Sequence, residues 1–257
     1  GLVKVVPYHE VFHRSWRFEV PGIGPMEAYP NRDSLAYQAQ YGLHDAQTVI
    51  RGTLRNSGWS ETWYQIVKLG LPNESLRIPR LAERTWAELM EMFLPRDLDG
   101  VHLEQRVAGY LGVSPTGTII RNMRWLGLFE TTPCAAPGET MADALVHLLA
   151  QRLALPPSGR DMVIIAHELV VERAGQRVRF LSTMVERGTA GGMTAMAKTV
   201  GLPAALVTRL IMEGGLEAGI LVPTHPAIYQ PLLGQLAAEG IRFDESTETV
   251  EPGASIS

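Results

Sequence analysis

The spacing of apolar residues changes twice along this chain, and that change limits the fold more than any single motif. Near the start, Trp16, Phe18 and Val20 alternate with Ser15, Arg17 and Glu19, the two-residue period of a half-buried strand. Pro21-Gly22-Ile23-Gly24-Pro25 reads as a turn, and Met26–Tyr29 as the returning strand of a hairpin. Thr48–Arg55 predicts another strand. From Gly58 to about Leu155 the spacing becomes helical. Five helices are expected there: Trp59 to Gly70, Trp86 to Phe93, Leu103 to Leu111, Ile119 to Leu126 and Met141 to Leu149. Pro156-Pro157-Ser158-Gly159 closes the block. Strands return in Asp161–Glu172 and Arg177–Arg187 across a hairpin turn. Helices are expected over Thr194 to about Glu213 and Pro226–Glu239, and a last short strand over Ile241–Phe243.

This pattern predicts an α+β fold, with a mixed, largely antiparallel sheet carrying helices on one face and an inserted all-helical subdomain. Residues 1–57 and 158–247 would form the sheet-containing domain, 58–157 the helical insert and 248–257 a flexible tail. Hairpins, not β-α-β alternation, argue against a doubly wound dinucleotide-binding sheet. Hydrophobic residues make up 46% of the chain and charged residues 19%, so there is material for a core and wholesale disorder is excluded. A net charge of −4 argues against a nucleic-acid coat or an anionic-membrane binder. No run of about 18 to 20 apolar residues is read from the sequence, so no membrane span is expected. Cys134 is the only cysteine and has no internal partner for a disulfide, so a reducing compartment such as the cytoplasm is expected. The start, Gly1-Leu2-Val3-Lys4-Val5-Val6, reads like the middle of a strand, which suggests a piece of a longer chain.

Several motifs carry candidate chemistry. His9-Glu10-Val11-Phe12-His13 matches a zinc-hydrolase pattern that needs two imidazoles one helical turn apart, but Pro7 and the strand beginning near Ser15 leave little room for that helix. Val107 to Arg124 has the outline of a helix-turn-helix with Arg121 and Arg124 on its second helix; an ordinary packed helix pair has the same outline. Gly188-Thr189-Ala190-Gly191-Gly192 before a helix is a candidate anion site or an unliganded strand-to-helix turn. The sharper signal is Arg51, Thr53 and Arg55. Alternate residues of a strand share a face, so two guanidiniums stand roughly 13 Å apart along it, suited to a ligand with several carboxylates. A solvated sheet face would show the same spacing. Asn31-Arg32-Asp33-Ser34 adds another arginine and small hydrogen-bonding groups.

The runs VPYHEVFH, WRFEVPGIGPMEAYPNRDSL, TVIRGTLRNSGW, DMVIIAHE, MTAMAKTVGLPAA and GILVPTHPAIYQPLLGQLAAEGI together resemble the substrate-binding part of the glutamate-forming saccharopine dehydrogenase family. The likeness covers most of the chain and is loosest over 58–157. It implies a parent enzyme with an N-terminal Rossmann domain binding NAD or NADP, hydride transfer at the CH–NH bond of an amino-acid substrate, and homodimerisation through the second domain. By that resemblance the cofactor and the acid–base residues lie outside this piece, which would be inactive alone and hold no catalytic, cofactor or metal residues. Substrate carboxylates would be held by Asn31, Arg32, Ser34, Arg51, Thr53 and Arg55. The competing readings are a non-catalytic ligand- or protein-binding module and a zinc hydrolase at His9 and His13.

Overall fold

The computed structural model describes residues 3–251. The first sheet has the order β1-β2-β3, with β1 over Trp16–Val20, β2 over Gly24–Pro30 and β3 over Gly52–Asn56. The second has the order β4-β5-β6, with β4 over Met162–Arg173, β5 over Gln176–Arg187 and β6 over Asp244–Val250. The α+β class is therefore present, but the strands fall in two three-stranded sheets and not in one mixed sheet. By chain contacts, 3–18, 25–32 and 51–154 form one unit, and 19–24, 33–50 and 155–251 form the other.

In the first unit the helical spacing becomes five α-helices: α2 (Trp59–Leu69), α3 (Trp86–Glu91), α4 (Leu103–Leu111), α5 (Thr118–Leu126) and α6 (Met141–Arg152). α2 packs on α4 and α5, α3 on α4, and α6 on α5. Ile66, Leu89, Met90, Val107, Ile120, Met123 and Met141 are sealed from solvent in their common core. Capping boxes start two of them: Thr85 with Glu88 before α3, and Thr140 with Asp143 before α6. The helix-turn-helix outline resolves into this packing. Val107, Leu111, Ile120 and Met123 face inward, Arg124 pairs with Glu104, and Arg121 donates to Thr118.

In the second unit, β4 and β5 form a long hairpin in register from Met162↔Arg187 to Arg173↔Gln176. Its two-residue turn, Ala174-Gly175, has φ of 50° and 77°, the sign that matches the twist of a tight hairpin. Before this sheet lies the short α1 (Ala36–Gln40); after it come α7 (Ala195–Met212) and α8 (Pro226–Ala238). α7 packs on β4, β5 and α8, around Met184, Leu206, Leu236 and Ile241. α7 also corrects the expectation of no long apolar run: its 18 residues average a mean hydropathy of 1.3, enough by length and composition to cross a membrane. Lys198 pairs with Glu186 of β5 at 3.1 Å, which ties it to the sheet. The last strand lies later than expected. Residues 241–243 lie outside it, while Glu248, Thr249 and Val250, expected in the tail, pair with Arg179, Val178 and Arg177. Residues 252–257 of that expected tail lie outside the described residues.

The glycine-rich turn before α7 is already filled. The Asp161 carboxylate accepts the backbone N–H groups of Ala195 (2.7 Å) and Met196 (2.9 Å) at the start of the helix. Thr194 adds a side-chain cap by accepting from Ala197 at 3.0 Å. Gly188 is what permits this, because a side chain there would run into the Asp161 carboxylate and the Ala195 nitrogen. The bond from Met196, then that from Ala195, holds the Asp161 carboxyl below its ordinary 3.8.

A carboxylate whose folded pKa is lowered stabilises the fold above the ordinary carboxylate range and loses that effect as pH falls through the lowered value. Asp161→Asn should therefore lower Tm at pH 7, and the gap from the parent chain should shrink as pH falls below about 4, as read by calorimetric scans from pH 7 to 2. Leu89→Ala opens a cavity at a fully buried site. It should cost about 2–5 kcal/mol, measured by guanidinium unfolding.

Candidate functional site

The candidate site is built by one strand pairing. β2 and β3 are antiparallel, with Glu27↔Arg55, Ala28↔Leu54, Tyr29↔Thr53 and Pro30↔Gly52 as partners. One residue further, the Asn31 N–H donates to the Arg51 carbonyl at 3.0 Å. Alternation then sets Glu27, Tyr29 and Asn31 beside Arg55, Thr53 and Arg51 on one face. Met26 and Ala28 take the other face and are buried. Gly52 belongs to that second face because a side chain there would press on the Trp16 ring at 3.0 Å.

β3 is shorter than the expected Thr48–Arg55, and the reason lies in its partner. One residue past the Asn31–Arg51 bond, Arg32 turns the chain with a φ of 52°. This left-handed conformation is uncommon for a residue with a side chain. Asn31 and Arg51 are partly buried and Arg32 is exposed, so the end of the β2–β3 ribbon carries two guanidinium-bearing residues and an amide.

Arg55 is placed differently. Its Nη1 donates to the Leu54 carbonyl at 2.8 Å, and its guanidinium lies over the Trp59 ring, 5.4 Å from the centroid. Thr53 is partly buried between the two arginine positions. Ser34 belongs to the second unit. There its carbonyl accepts the Tyr37 N–H at 3.4 Å, in a turn whose Asp33 carboxylate caps Leu35 and Ala36.

Sequence reasoning missed the supports of this face. Glu27 accepts the N–H groups of Gly58 (2.7 Å) and Ser60 (2.9 Å) at the start of α2. Its side chain occupies that helix N-terminus, whose own cap position, Gly58, has no side-chain oxygen. The Tyr29 ring meets Phe12 edge-on at 4.9 Å. Writing Met26–Pro30 against Gly52–Asn56 in antiparallel register would have found both residues, but periodicity gives no register.

The zinc-like motif lies in a 3-10 helix over Tyr8–Arg14. At three residues per turn, residues four apart do not stack on one face. His13 lies against the Tyr64 ring at 4.8 Å and His9 against Tyr8 at 5.5 Å, while Glu10 pairs with Arg14 at 3.1 Å. No cluster of three or more His, Cys, Asp or Glu suited to a metal is found among the described residues.

With this geometry established, the comparisons with known proteins are specific. The family model for the saccharopine dehydrogenase C-terminal domain matches residues 1–241. The chain is 31% identical over 226 residues to the saccharopine dehydrogenase [NADP(+), L-glutamate-forming] of Schizosaccharomyces pombe, covering 84% of this chain and 50% of that protein. It is 35% identical over 237 residues to the mitochondrial alpha-aminoadipic semialdehyde synthase of Bos taurus, covering 87% of this chain and 24% of that one. Among solved structures, apo saccharopine dehydrogenase (L-Glu forming) from Saccharomyces cerevisiae superposes with a TM-score of 0.80 at 27% identity, over 93% of this chain and 55% of that one. The chain thus spans between a quarter and about half the length of these relatives. It belongs to the saccharopine dehydrogenase C-terminal domain family.

Proposed function

We propose that this chain is the substrate-binding and dimerisation portion of an NAD(P)-dependent oxidoreductase acting on the CH–NH bond of an amino-acid substrate with several carboxylates. The hydride chemistry and the cofactor belong to another part of the protein, and the isolated piece is inactive. A reducing, cytoplasmic setting is part of this reading. The observation that carries it is the Asn31–Arg51 pairing: two separate segments that resemble the family are joined by a backbone hydrogen bond. Arg32 and Arg51 supply charge-assisted donors to ligand carboxylates, and Asn31 and Thr53 neutral ones. Arg55, already resting on Trp59, acts as the weaker outer contact.

The test is calorimetric titration of the chain with saccharopine, a tricarboxylate. Saccharopine should bind more tightly than glutamate, and Arg51→Ala should weaken it by about tenfold or more. Arg51→Lys should recover only part of the loss, because an ammonium lacks the bidentate fork. Arg55→Ala should cost less than Arg51→Ala. Equal binding by the Arg51→Ala chain would refute the assignment.

Arg32 separates binding from folding. Arg32→Gly relieves a left-handed backbone but frees the unfolded chain, so stability should stay within about 1 kcal/mol while saccharopine binding weakens. A parallel fall in Tm and binding would mean that Arg32 serves only the turn.

A further inference from the structure

The second unit carries a groove that the carboxylate-binding reading does not use. It is a solvent-open depression of about 600 Å³, within the volume range of small-molecule sites. Leu233, Leu236 and Ala237 of α8 line one side, with Ile241 and Phe243 beyond them. Its polar residues come from one row across the sheet. His167 of β4 is the cross-strand partner of Ser182 of β5, and Ser182 is the partner of Glu245 of β6. Cross-strand partners point to the same face, so all three reach the groove.

The bonding within this row decides its chemistry. The Ser182 hydroxyl donates to the Glu245 carboxylate at 3.4 Å. A hydrolytic triad would instead have the acid orient the histidine and the histidine activate the serine, so the row is not a nucleophile. Glu245 has no ion pair among the described residues, which leaves most of its acceptor capacity open. The lining cation, Arg242, donates from Nε to the Ala237 carbonyl at 3.0 Å, at the C-terminal end of α8, where a cation offsets the helix dipole. The His167 ring lies 5.8 Å from that of Phe243, tilted by 34°. Burial of this ring pushes its pKa below the usual histidine value, which favours the neutral imidazole at pH 7.

We propose that this groove binds an organic ammonium on an apolar, ring-bearing stem: the ammonium on Glu245, the stem along Leu233, Leu236 and Ile241, and the ring beside Phe243 and His167. Charge complementarity selects the occupant. An exposed acid with no ion pair among the described residues borders apolar walls, so an amine gains where an isosteric alcohol or carboxylate does not.

The probes are 4-phenylbutylamine, 4-phenylbutanol and 4-phenylbutyrate, titrated calorimetrically into the chain at pH 7. The amine should bind saturably and about tenfold tighter than the alcohol, with the carboxylate weaker still. Glu245→Gln should abolish the preference for amine over alcohol and leave the fold unchanged, since Glu245 is exposed. Leu233→Ser should weaken amine and alcohol together. Indistinguishable binding of the three probes, no saturable amine binding, or an amine preference that survives Glu245→Gln overturns the proposal. Because Arg51 has no part in this groove, an unchanged amine affinity in Arg51→Ala separates its outcome from that of the carboxylate site.

Discussion

A single strand pairing carries the candidate site. Asn31 and Arg51 are separated in sequence by a turn, the short α1 helix and a polar stretch, yet the β2–β3 ladder delivers them as neighbours. Backbone hydrogen bonds can do this because they fix register, and register fixes which side chains share a face. Slipping β3 by one residue would send Arg51, Thr53 and Arg55 to the side now held by buried Met26 and Ala28. The close approach of Gly52 to Trp16 opposes such a slip, because the residue that replaced it would bring a side chain against that ring.

The fold fills its helix N-termini with its own acids. Glu27 occupies the start of α2 and Asp161 the start of α7. Both helices follow a strand and a glycine-containing turn, the setting in which a bare helix end often takes a ligand anion. With those donors satisfied internally, the proposed recognition of ligand carboxylates rests on guanidinium groups. That division has a physical advantage. Backbone N–H groups at a helix end are fixed in place, whereas an arginine can follow carboxylates on substrates of different length.

Much of the architecture was legible in the sequence. The change of period at Gly58 coincides with the start of α2 at Trp59, and the returning strands and the α7 and α8 segments lie within a residue or two of their expected limits. Periodicity succeeds there because each element buries a face of its own. It fails where the partner decides. β3 ends where its partner chain turns away at Arg32, and β6 forms from Asp244–Val250, a polar run with little strand signal, because β5 offers it an unpaired edge. Two sheets were read as one for the same reason: alternation identifies strands but not their neighbours. At the candidate site the residue types were legible, while Glu27, Tyr29 and Trp59, which brace them, needed the register and the tertiary contacts.

Those braces also rank the arginines. A guanidinium stacked on an aromatic ring keeps its in-plane donors, but moving it to meet a ligand would forfeit the ring contact, so part of any new carboxylate bond at Arg55 is offset. Arg51 stands beside the turn at Arg32, where the ladder stops and the backbone leaves the sheet. A strained residue persists only when its surroundings hold it there, and here the pairing of Asn31 with Arg51 supplies that hold. The left-handed turn therefore sets Arg32 at the end of a two-stranded ribbon, one residue past the backbone partner of Arg51.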